Sequence, residues 1–297
     1  MQATDTVILG DEYGKAHGLM VALVAELEQS VAGSKLALPS LPEVALKVRK
    51  ALADDSVSSA EIARLLGTDP ALAARVLKTA NSALFYRGSK PITSLLNAVA
   101  RLGQRMIRNV ALSYAAQQVF IGYGSAELRA YLVGIWQHSV HVAALAHMLA
   151  RVRSQANADD AFLAGLLHEI GKLYILMRAK TNAEMLASTA EFQSVLAAWH
   201  ARIGGAVLEA WELAPELVAA VRDHETCDLA AGSPASLTEI VAVANFLAEH
   251  GGEVAVDEDF HGRAPDFGSL AMDKATFDWL LRAGDVDMRL LMMTFGV

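Results

Sequence analysis

Apolar residues recur every three or four positions through most of the chain, the spacing that turns one face of an α-helix toward a core. Every clear element has this helical period, so almost no sheet is expected. The pattern predicts helices at residues 19–31, 44–52, 58–66, 70–80, 92–102, 104–120, 128–151, 159–177, 182–200, 206–211, 216–224, 274–282 and 287–293.

Two of the short helices also have start signals. Ser58 precedes the first and is followed three residues later by Glu61, the pattern of a capping box. Asp69 stands directly before Pro70, and an Asp cap followed by Pro at the first helical position is a common helix start. These signals fix where helices 58–66 and 70–80 begin.

A polar break at residues 121–127 divides the helical pattern, since Gly122, Gly124 and Ser125 interrupt the apolar period. We therefore predict an all-α, two-lobed helical bundle. Residues 1–35 form an N-terminal helical extension, and a domain over 36–250 consists of one lobe at 36–125 and another at 126–250. Residues 251–297 form an acidic, Gly-rich loop (251–268) and C-terminal helices.

Composition indicates a globular protein of a reducing compartment. With 297 residues and 54% apolar content the chain can bury a large core, and its single cysteine, Cys227, cannot form an internal disulfide. No apolar run approaches the roughly 18 residues of a membrane span, and no leader pattern opens the chain. We expect a cytoplasmic protein without membrane insertion.

The net charge of −8 is unevenly distributed. Residues 36–112 carry 11 basic and 5 acidic residues, whereas the rest carries 14 basic and 28 acidic ones. Arg101, Arg105 and Arg108 lie on one helix face, where like charges repel unless an anionic group is close. This face is either ordinary solvated surface, or it binds a phosphate, an acidic partner protein or the acidic segment 257–259.

Helices 58–66 and 70–80 superficially resemble a helix-turn-helix, with Arg75 and Lys78 placed to contact a phosphate backbone. The same spacing arises in any tightly packed helical bundle, and Leu72 and Val76 assign much of the second helix to a core. The acidic total charge also disfavours nucleic acid as a partner.

The chemistry-bearing residues lie in the second half of the chain. His138 is on an apolar helix, and His168-Glu169 follows about thirty residues later. A carboxylate in an apolar helix requires a cation, a metal or hydrogen bonds, so Glu169 is either a metal ligand or one half of a structural ion pair.

Further along the chain His200, Asp223 and His224 extend this set. A lone helical histidine is usually a structural residue. Together, imidazoles and carboxylates of this kind bind divalent transition metals, and pairs of such ions drive phosphodiester hydrolysis. In that interpretation Lys172 would steady a phosphate.

This arrangement resembles the HD-type phosphohydrolases, in which a helical His, a later His-Asp pair and a further Asp surround the metal. The chain differs at two points, because the pair is His168-Glu169 and the later Asp is replaced by Asn245. In the related HD-GYP phosphodiesterases a paired His stands near Asp223-His224, and only the second His is present here. Asn cannot supply the anionic charge that a divalent cation needs.

The degenerate pattern resembles the HDOD family, the regulatory relatives of these enzymes. Asn81-Ser82 before a bulky apolar pair and the stretch 98–103 are the more specific pieces, and the match covers about 38–224. The pieces in family order are Leu38-Pro39-Ser40-Leu41-Pro42, Asp69-Pro70, Val76 to Phe85, Ile92-Thr93-Ser94 and Ala98 to Gly103. The resemblance implies an HD-like second lobe, and a metal site at His138, His168, Glu169, His200, Asp223 and His224 that is weak or vestigial.

Three functions follow as hypotheses. The first is a non-catalytic bacterial output or adaptor module that acts on a signalling protein partner, with the link to cyclic dinucleotides that the resemblance implies. This function needs no cofactor, and the sequence leaves open whether a divalent metal is bound. The second is a divergent metal-dependent phosphohydrolase. The third is nucleic-acid binding through the basic lobe.

Overall fold

The computed structural model describes residues 18–29, 31, 43–52, 54, 56–82, 90–121, 126–179, 190–227, 235–256, 270, 275–276 and 278–280, and most of these are helical, with no strand among them. This confirms the predicted all-α class. Helix α1 covers residues 18–29. The others are α2 (Glu43–Ala51), α3 (Ser59–Leu66), α4 (Pro70–Ala80), α5 (Leu95–Ile121), α6 (Ala126–Arg153), α7 (Ala158–Leu167), α8 (Ile170–Arg178), α9 (Ala190–Ala210), α10 (Pro215–Asp223) and α11 (Leu237–Val256).

The predicted caps of α3 and α4 are confirmed. The Ser58 hydroxyl accepts from the Glu61 backbone N–H at 3.2 Å, and Glu61 accepts in return from the Ser58 backbone N–H at 2.9 Å. Asp69 accepts from the N–H groups of Ala71 and Leu72 at 2.9 and 3.0 Å. Each contact satisfies backbone donors that the first helical turn leaves without a partner.

The first lobe has its own apolar core. It is formed where α2, α3 and α4 pack on the first part of α5. The fully buried side chains include Val48, Ile62, Leu66, Leu72, Val76, Met106, Ile107 and Val110.

Helix α5 connects this core to a second one. It bends at Gly103, whose φ of 76° is in the region that favours glycine. Beyond the bend, Met106 and Val110 belong to the first core, whereas Leu112 and Ala116 belong to the second. One helix therefore contributes to both cores.

The second core is larger and is built from α6 to α11. The long helix α6 packs against α7 and α11, and α9 packs against α8 and α10. Helix α1 also packs here through the buried side chains of Met20, Leu23 and Leu27. The N-terminal helix is thus attached to the second core although it precedes the first lobe in sequence.

Some predicted boundaries are corrected by the structure. The single helix expected at 159–177 is two helices separated at His168-Glu169, and the separate helices 182–200 and 206–211 are joined in α9. Helix α11 extends to Val256, so residues 251–256 are helical rather than loop. The rest of the predicted loop, residues 257–268, lies outside the described residues. Helix 287–293 also lies outside them.

Within the described ranges, the model has no helix that is both long enough and apolar enough to cross a membrane.

Candidate metal centre

The break between α7 and α8 creates one edge of the site. Helix α7 ends at Leu167, His168 forms its C-cap, and Glu169 precedes α8. Both side chains are buried. The sequence pattern predicted that they follow one another along a continuous helix. Instead they lie at a turn between two helices, where both side chains reach the same space.

A close crossing of α8 and α9 places His200 beside this turn. A Cβ on Gly171 would lie 1.9 Å from the His200 carbonyl oxygen and 2.8 Å from the Gly204 nitrogen. Only glycine permits this approach, since no real Cβ contact is so short. Gly171 and Gly204 therefore hold the two backbones close enough for His200 to reach the site.

Three buried histidines are anchored in the same way. The Nδ1 atom of His168 donates to the Gly165 carbonyl at 2.7 Å, that of His224 to the Val221 carbonyl at 2.8 Å, and that of His200 to the Leu196 carbonyl at 2.9 Å. A neutral ring with its proton on Nδ1 has its lone pair on Nε2. Each Nε2 is thus prepared to accept a proton or a metal.

The four site imidazoles form a row. Ring centroids are 5.2 Å apart from His138 to His168, 5.2 Å from His168 to His224 and 5.3 Å from His224 to His200. Two groups of potential ligands lie along this row. We name the group His138, His168 and Glu169 the first triad, and the group His200, His224 and Glu225 the second triad.

In the first triad, most polar atoms are bound by the protein itself. His138 Nε2 donates to Asn245 Oδ1 at 2.8 Å, and the Lys172 ammonium donates to Glu169 Oε1 at 2.5 Å. His168 Nε2 and Glu169 Oε2 are buried without a hydrogen-bond partner among the described residues. The first triad is therefore partly closed, with two acceptor atoms left over.

Burial determines the protonation of this group. Burial lowers the pKa of His168 to about 3, so the ring is neutral at physiological pH. Burial alone would raise the pKa of Glu169, but His168 and the Lys172 ammonium outweigh it and lower that pKa overall. Glu169 is an ion whose countercharge is supplied by Lys172.

In the second triad, three acceptor atoms face one another. His200 Nε2 lies 3.4 Å from His224 Nε2, and Glu225 Oε1 lies 3.5 Å from the first and 3.4 Å from the second. With both Nδ1 protons given to carbonyls, neutral rings would turn two lone pairs toward a carboxylate. Such an arrangement is stable only with a positive charge between the atoms, either a proton or a cation.

The electrostatics of the second triad agree with this need. Although burial lowers the pKa of His200, its hydrogen bond with Glu225 and the charge of Glu169 raise that pKa overall. Hydrogen bonds from His200 and His224 lower the pKa of the half-exposed Glu225 carboxyl. A proton on His200 is one way to hold the three atoms together.

The donor set also fits a divalent ion. Imidazole nitrogens with a carboxylate oxygen are ligands typical of zinc and related transition metals. Metal-binding histidines usually donate their other ring N–H to a carbonyl or a carboxylate, as these Nδ1 atoms do. His200, His224 and Glu225 would hold such an ion. It would supply positive charge and Lewis acidity there.

Of the remaining predicted ligands, Asp223 lies apart from both triads. Its carboxylate accepts two hydrogen bonds from Arg222, each at 3.0 Å. Glu225, which sequence reasoning did not place among the ligands, stands in the second triad instead. Its one signal in the sequence was its position directly after His224.

The arginine face is only partly as predicted. Arg101 and Arg105 are exposed, but Arg108 is half-buried, and Arg105 and Arg108 both bind Asp160 at the start of α7. The acidic segment 257–259, one of the predicted partners of this face, lies outside the described residues.

Arg75, a residue of the helix-turn-helix interpretation, is directed into the protein. Its guanidinium lies over the Tyr114 ring at 5.4 Å and donates to Gln117. This position does not favour a contact with nucleic acid.

In the described part of the chain, a helical fold gathers buried imidazoles and carboxylates at helix ends, as in proteins of the HD-like class. The family model of the HDOD domain matches residues 38–227, which is more than half of the chain. The chain belongs to the HDOD domain family, as the sequence resemblance predicted.

Solved structures of other proteins have a similar fold. A proposed metal-dependent phosphohydrolase from Shewanella amazonensis SB2B has a TM-score of 0.71 and 28% identity, over 94% of this chain and 99% of that one. An HDOD domain protein of unknown function from Geobacter sulfurreducens has a TM-score of 0.65 and 24% identity, over 91% and 97%.

A curated relative is longer than this chain. An uncharacterized protein of Treponema pallidum (strain Nichols) is 27% identical over 234 residues, which is 74% of this chain and 44% of that protein. The chain thus spans less than half of the length of this relative.

Proposed function

We propose that this chain is a bacterial signalling module that acts by contact with a protein partner and does not hydrolyse phosphodiesters. The observation that carries this proposal is the partial closure of the first triad by Lys172 and Asn245. Lys172 provides the positive charge beside Glu169, and Asn245 binds His138. Phosphodiester hydrolysis by paired metal ions needs anionic ligands that hold both ions, and this half of the site offers them an ammonium and a neutral amide instead.

A hydrolysis assay tests the proposal directly. The protein is incubated with Mn²⁺, Fe²⁺ or Zn²⁺ and either bis(p-nitrophenyl) phosphate or a cyclic dinucleotide. We expect the wild-type rate to equal that of His224→Ala, which serves as the baseline for contaminating activity. Metal-dependent turnover that is present in the wild type and lost in His224→Ala would overturn the proposal.

A triple variant tests the physical reason. Glu169→Asp with Asn245→Asp restores the two acidic ligands of the HD pattern, and Lys172→Gln removes the competing ammonium. If the closed first triad is what prevents hydrolysis, the triple variant should bind more divalent metal per chain than the wild type. Metal content after dialysis, measured by mass spectrometry, gives this comparison.

The second candidate function is a divergent metal-dependent phosphohydrolase. The observation that favours it is the second triad, where three acceptors face one another at 3.4 to 3.5 Å. Metal analysis of the wild type with the same assay separates the two candidates, because a bound ion without turnover fits a structural role and a bound ion with turnover fits an enzyme.

The link to cyclic dinucleotides is part of the proposal that rests on family resemblance. Calorimetric titration with cyclic di-GMP measures it. The absence of binding would leave a module that acts through its protein partner alone.

A further inference from the structure

A groove of about 450 Å³ lies between the two lobes, away from the imidazoles. Its volume is in the range of pockets that hold small molecules, about 300 to 1,000 Å³. The residues that matter for its chemistry are Arg105 and Arg108 of α5, Asp160 of α7, and the apolar side chains of Leu52, Leu217 and Leu237.

The two guanidinium groups are spaced to bind one anion. Arg105 NH1 lies 2.8 Å from Asp160 Oδ2, and Arg108 NH2 lies 2.9 Å from Asp160 Oδ1. The two arginines thus hold the two oxygens of a single carboxylate. Two oxygens of a phosphoryl group have a similar separation. Guanidinium groups commonly bind phosphate through two parallel N–H contacts.

The internal carboxylate of Asp160 is the group that such an anion has to displace, and its contact with Arg105 is the more exposed of its two ion pairs. The side chain of Arg105 is 61% exposed, and solvent screens pairs of this kind. Arg108 Nε is buried without a hydrogen-bond partner among the described residues, so Asp160 does not satisfy every donor of this guanidinium. A phosphoryl dianion carries more charge and more acceptor oxygens than a carboxylate.

The surroundings limit what else the ligand can be. Glu216 also lines the groove, and its carboxylate disfavours a polyanion. Leu52 and Leu237, which are partly exposed, offer apolar contact area beside the arginines. The best match is therefore a compound with one phosphoryl group and one apolar or aromatic part.

We propose that this groove binds a small organic monophosphate, whose phosphoryl group replaces the Asp160 carboxylate at Arg105 and Arg108. The proposal does not depend on whether the imidazole site holds a metal. It implies that the ligand would break the ion pairs that connect α5 to α7.

Helices α7 and α10 both connect the groove to the imidazole site, so a change at the groove would alter the positions of imidazoles. Asp160 stands at the start of α7 and His168 directly after its end, while Leu217 is in the first turn of α10 and His224 follows its end. At 1.5 Å per residue, each helix carries a displacement at the groove over roughly 10 Å to an imidazole. Helix starts also favour anions and helix ends favour cations, in agreement with an anionic ligand at one end and a proton or metal at the other.

Calorimetric titration with phenyl phosphate tests the proposal, since this probe has one phosphoryl group and an aromatic ring. Asp160→Asn removes the competing charge, and we expect its dissociation constant to fall by about tenfold or more relative to the wild type. Adding Arg108→Gln to Asp160→Asn should abolish that gain. Arg101→Gln, on the same helix but outside the groove lining, is the matched control. Added to Asp160→Asn, it should leave the gain in affinity for phenyl phosphate unchanged.

The result that would overturn the proposal is an Asp160→Asn protein that binds phenyl phosphate no more tightly than the wild type, or a gain that survives Arg108→Gln. Circular dichroism verifies that each variant is folded. If Arg108→Gln is not, the more exposed Arg105→Gln replaces it and must give the same loss.

Discussion

The glycine at the crossing of α8 and α9 determines the position of a site residue to which it contributes no atom. Gly171 has no side chain, and the His200 carbonyl occupies the space where a Cβ would be. His200 in turn lies beside the His168-Glu169 turn because its own backbone lies this close to α8. The position of His200, which is one member of the second triad, therefore depends on a residue without functional groups.

We predict that Gly171→Ala destabilises the protein and weakens the second triad. The added Cβ forces the two helices apart, and overpacking of this kind costs about 1 to 3 kcal/mol of unfolding free energy. Urea denaturation measures this loss, and metal titration measures the effect on the triad.

The matched control is Gly134→Ala in α6, where a Cβ would have no atom within 4 Å. Here the substitution should stabilise the protein by up to about 1 kcal/mol, because alanine favours a helix over glycine. Equal effects at the two positions would show that the crossing is not the cause.

His147 lies outside the site and provides a pH-dependent contribution to stability. The ring is buried, donates from Nδ1 to the Ala158 carbonyl at 3.0 Å, and has its pKa lowered to about 4, first by burial and further by Arg151. The unfolded chain binds this proton near pH 6.5. Between pH 6.5 and 4 the unfolded state is thus more protonated than the folded state.

We therefore predict that stability falls as the pH is lowered through this window, and that His147→Gln removes part of the fall. Linkage limits the contribution of this single residue to about 3 kcal/mol. Urea midpoints of both proteins at pH 4.5, 5.5 and 7.0 measure it. Parallel pH profiles for the two proteins would contradict the prediction.

At the scale of elements, Asn81 joins the end of α4 to the chain that enters α5. Its Nδ2 donates to the carbonyls of Leu77 and Ile92, each at 2.8 Å, and its Oδ1 accepts from the Ile92 N–H at 2.7 Å. The side-chain amide thus pairs with Ile92 as a second backbone would. Asn81 therefore caps the end of α4 and also binds a residue eleven positions further along the chain.

We predict that Asn81→Asp is more destabilising than Asn81→Ala. A carboxylate retains the acceptor but lacks both donors, and it faces two carbonyl oxygens. Removing one partner of such buried hydrogen bonds costs about 1 to 3 kcal/mol, and the repulsion adds to that loss. Thermal denaturation compares the two variants with Asn97→Ala on the exposed surface of α5, which should have almost no effect.

The sequence predicts some of these elements well and others poorly, and the difference has a physical reason. The caps at Ser58 and Asp69 depend on residues two or three positions away, so local reasoning finds them. The break at His168-Glu169 depends on α9 crossing at Gly171, and the Arg108–Asp160 pair joins residues 52 positions apart. Contacts of this range have no local signal.

The candidate site was predictable to a similar degree. His138, His168, Glu169, His200 and His224 lie near one another in two neighbouring groups, and that they bind a metal stays a prediction. Asp223 was expected among the ligands, but at the end of α10 it binds Arg222, and Glu225 lies beside the imidazoles instead. The residue types indicated the chemistry, but the direction of each side chain at a helix end did not follow from them.

For the molecule as a whole, we predict that divalent metal raises thermal stability through the second triad. A ligand that binds the folded state alone stabilises it by about 2.7 kcal/mol at a hundred times its dissociation constant. Zn²⁺ or Mn²⁺ should therefore raise the Tm of the wild type, and EDTA should reverse the change. His224→Ala should show no such rise, whereas the same rise in that variant would place the ion elsewhere.

The division into an N-terminal extension, a domain of two lobes and a C-terminal segment stays a proposal. The apolar cores give it partial support, because the described part of the chain has one core around α2 to α4 and others around α6 to α11. Helix α1 belongs with the second lobe in space.

Helix α5 has a consequence for how the chain can be divided by evolution or by a protease. Because Met106 and Val110 complete one core and Leu112 and Ala116 complete the other, a cut on either side of α5 deprives one lobe of a buried wall. A fragment that holds one lobe without α5 would expose apolar side chains that are buried in the whole chain. Each lobe therefore depends on the same shared helix for part of its core.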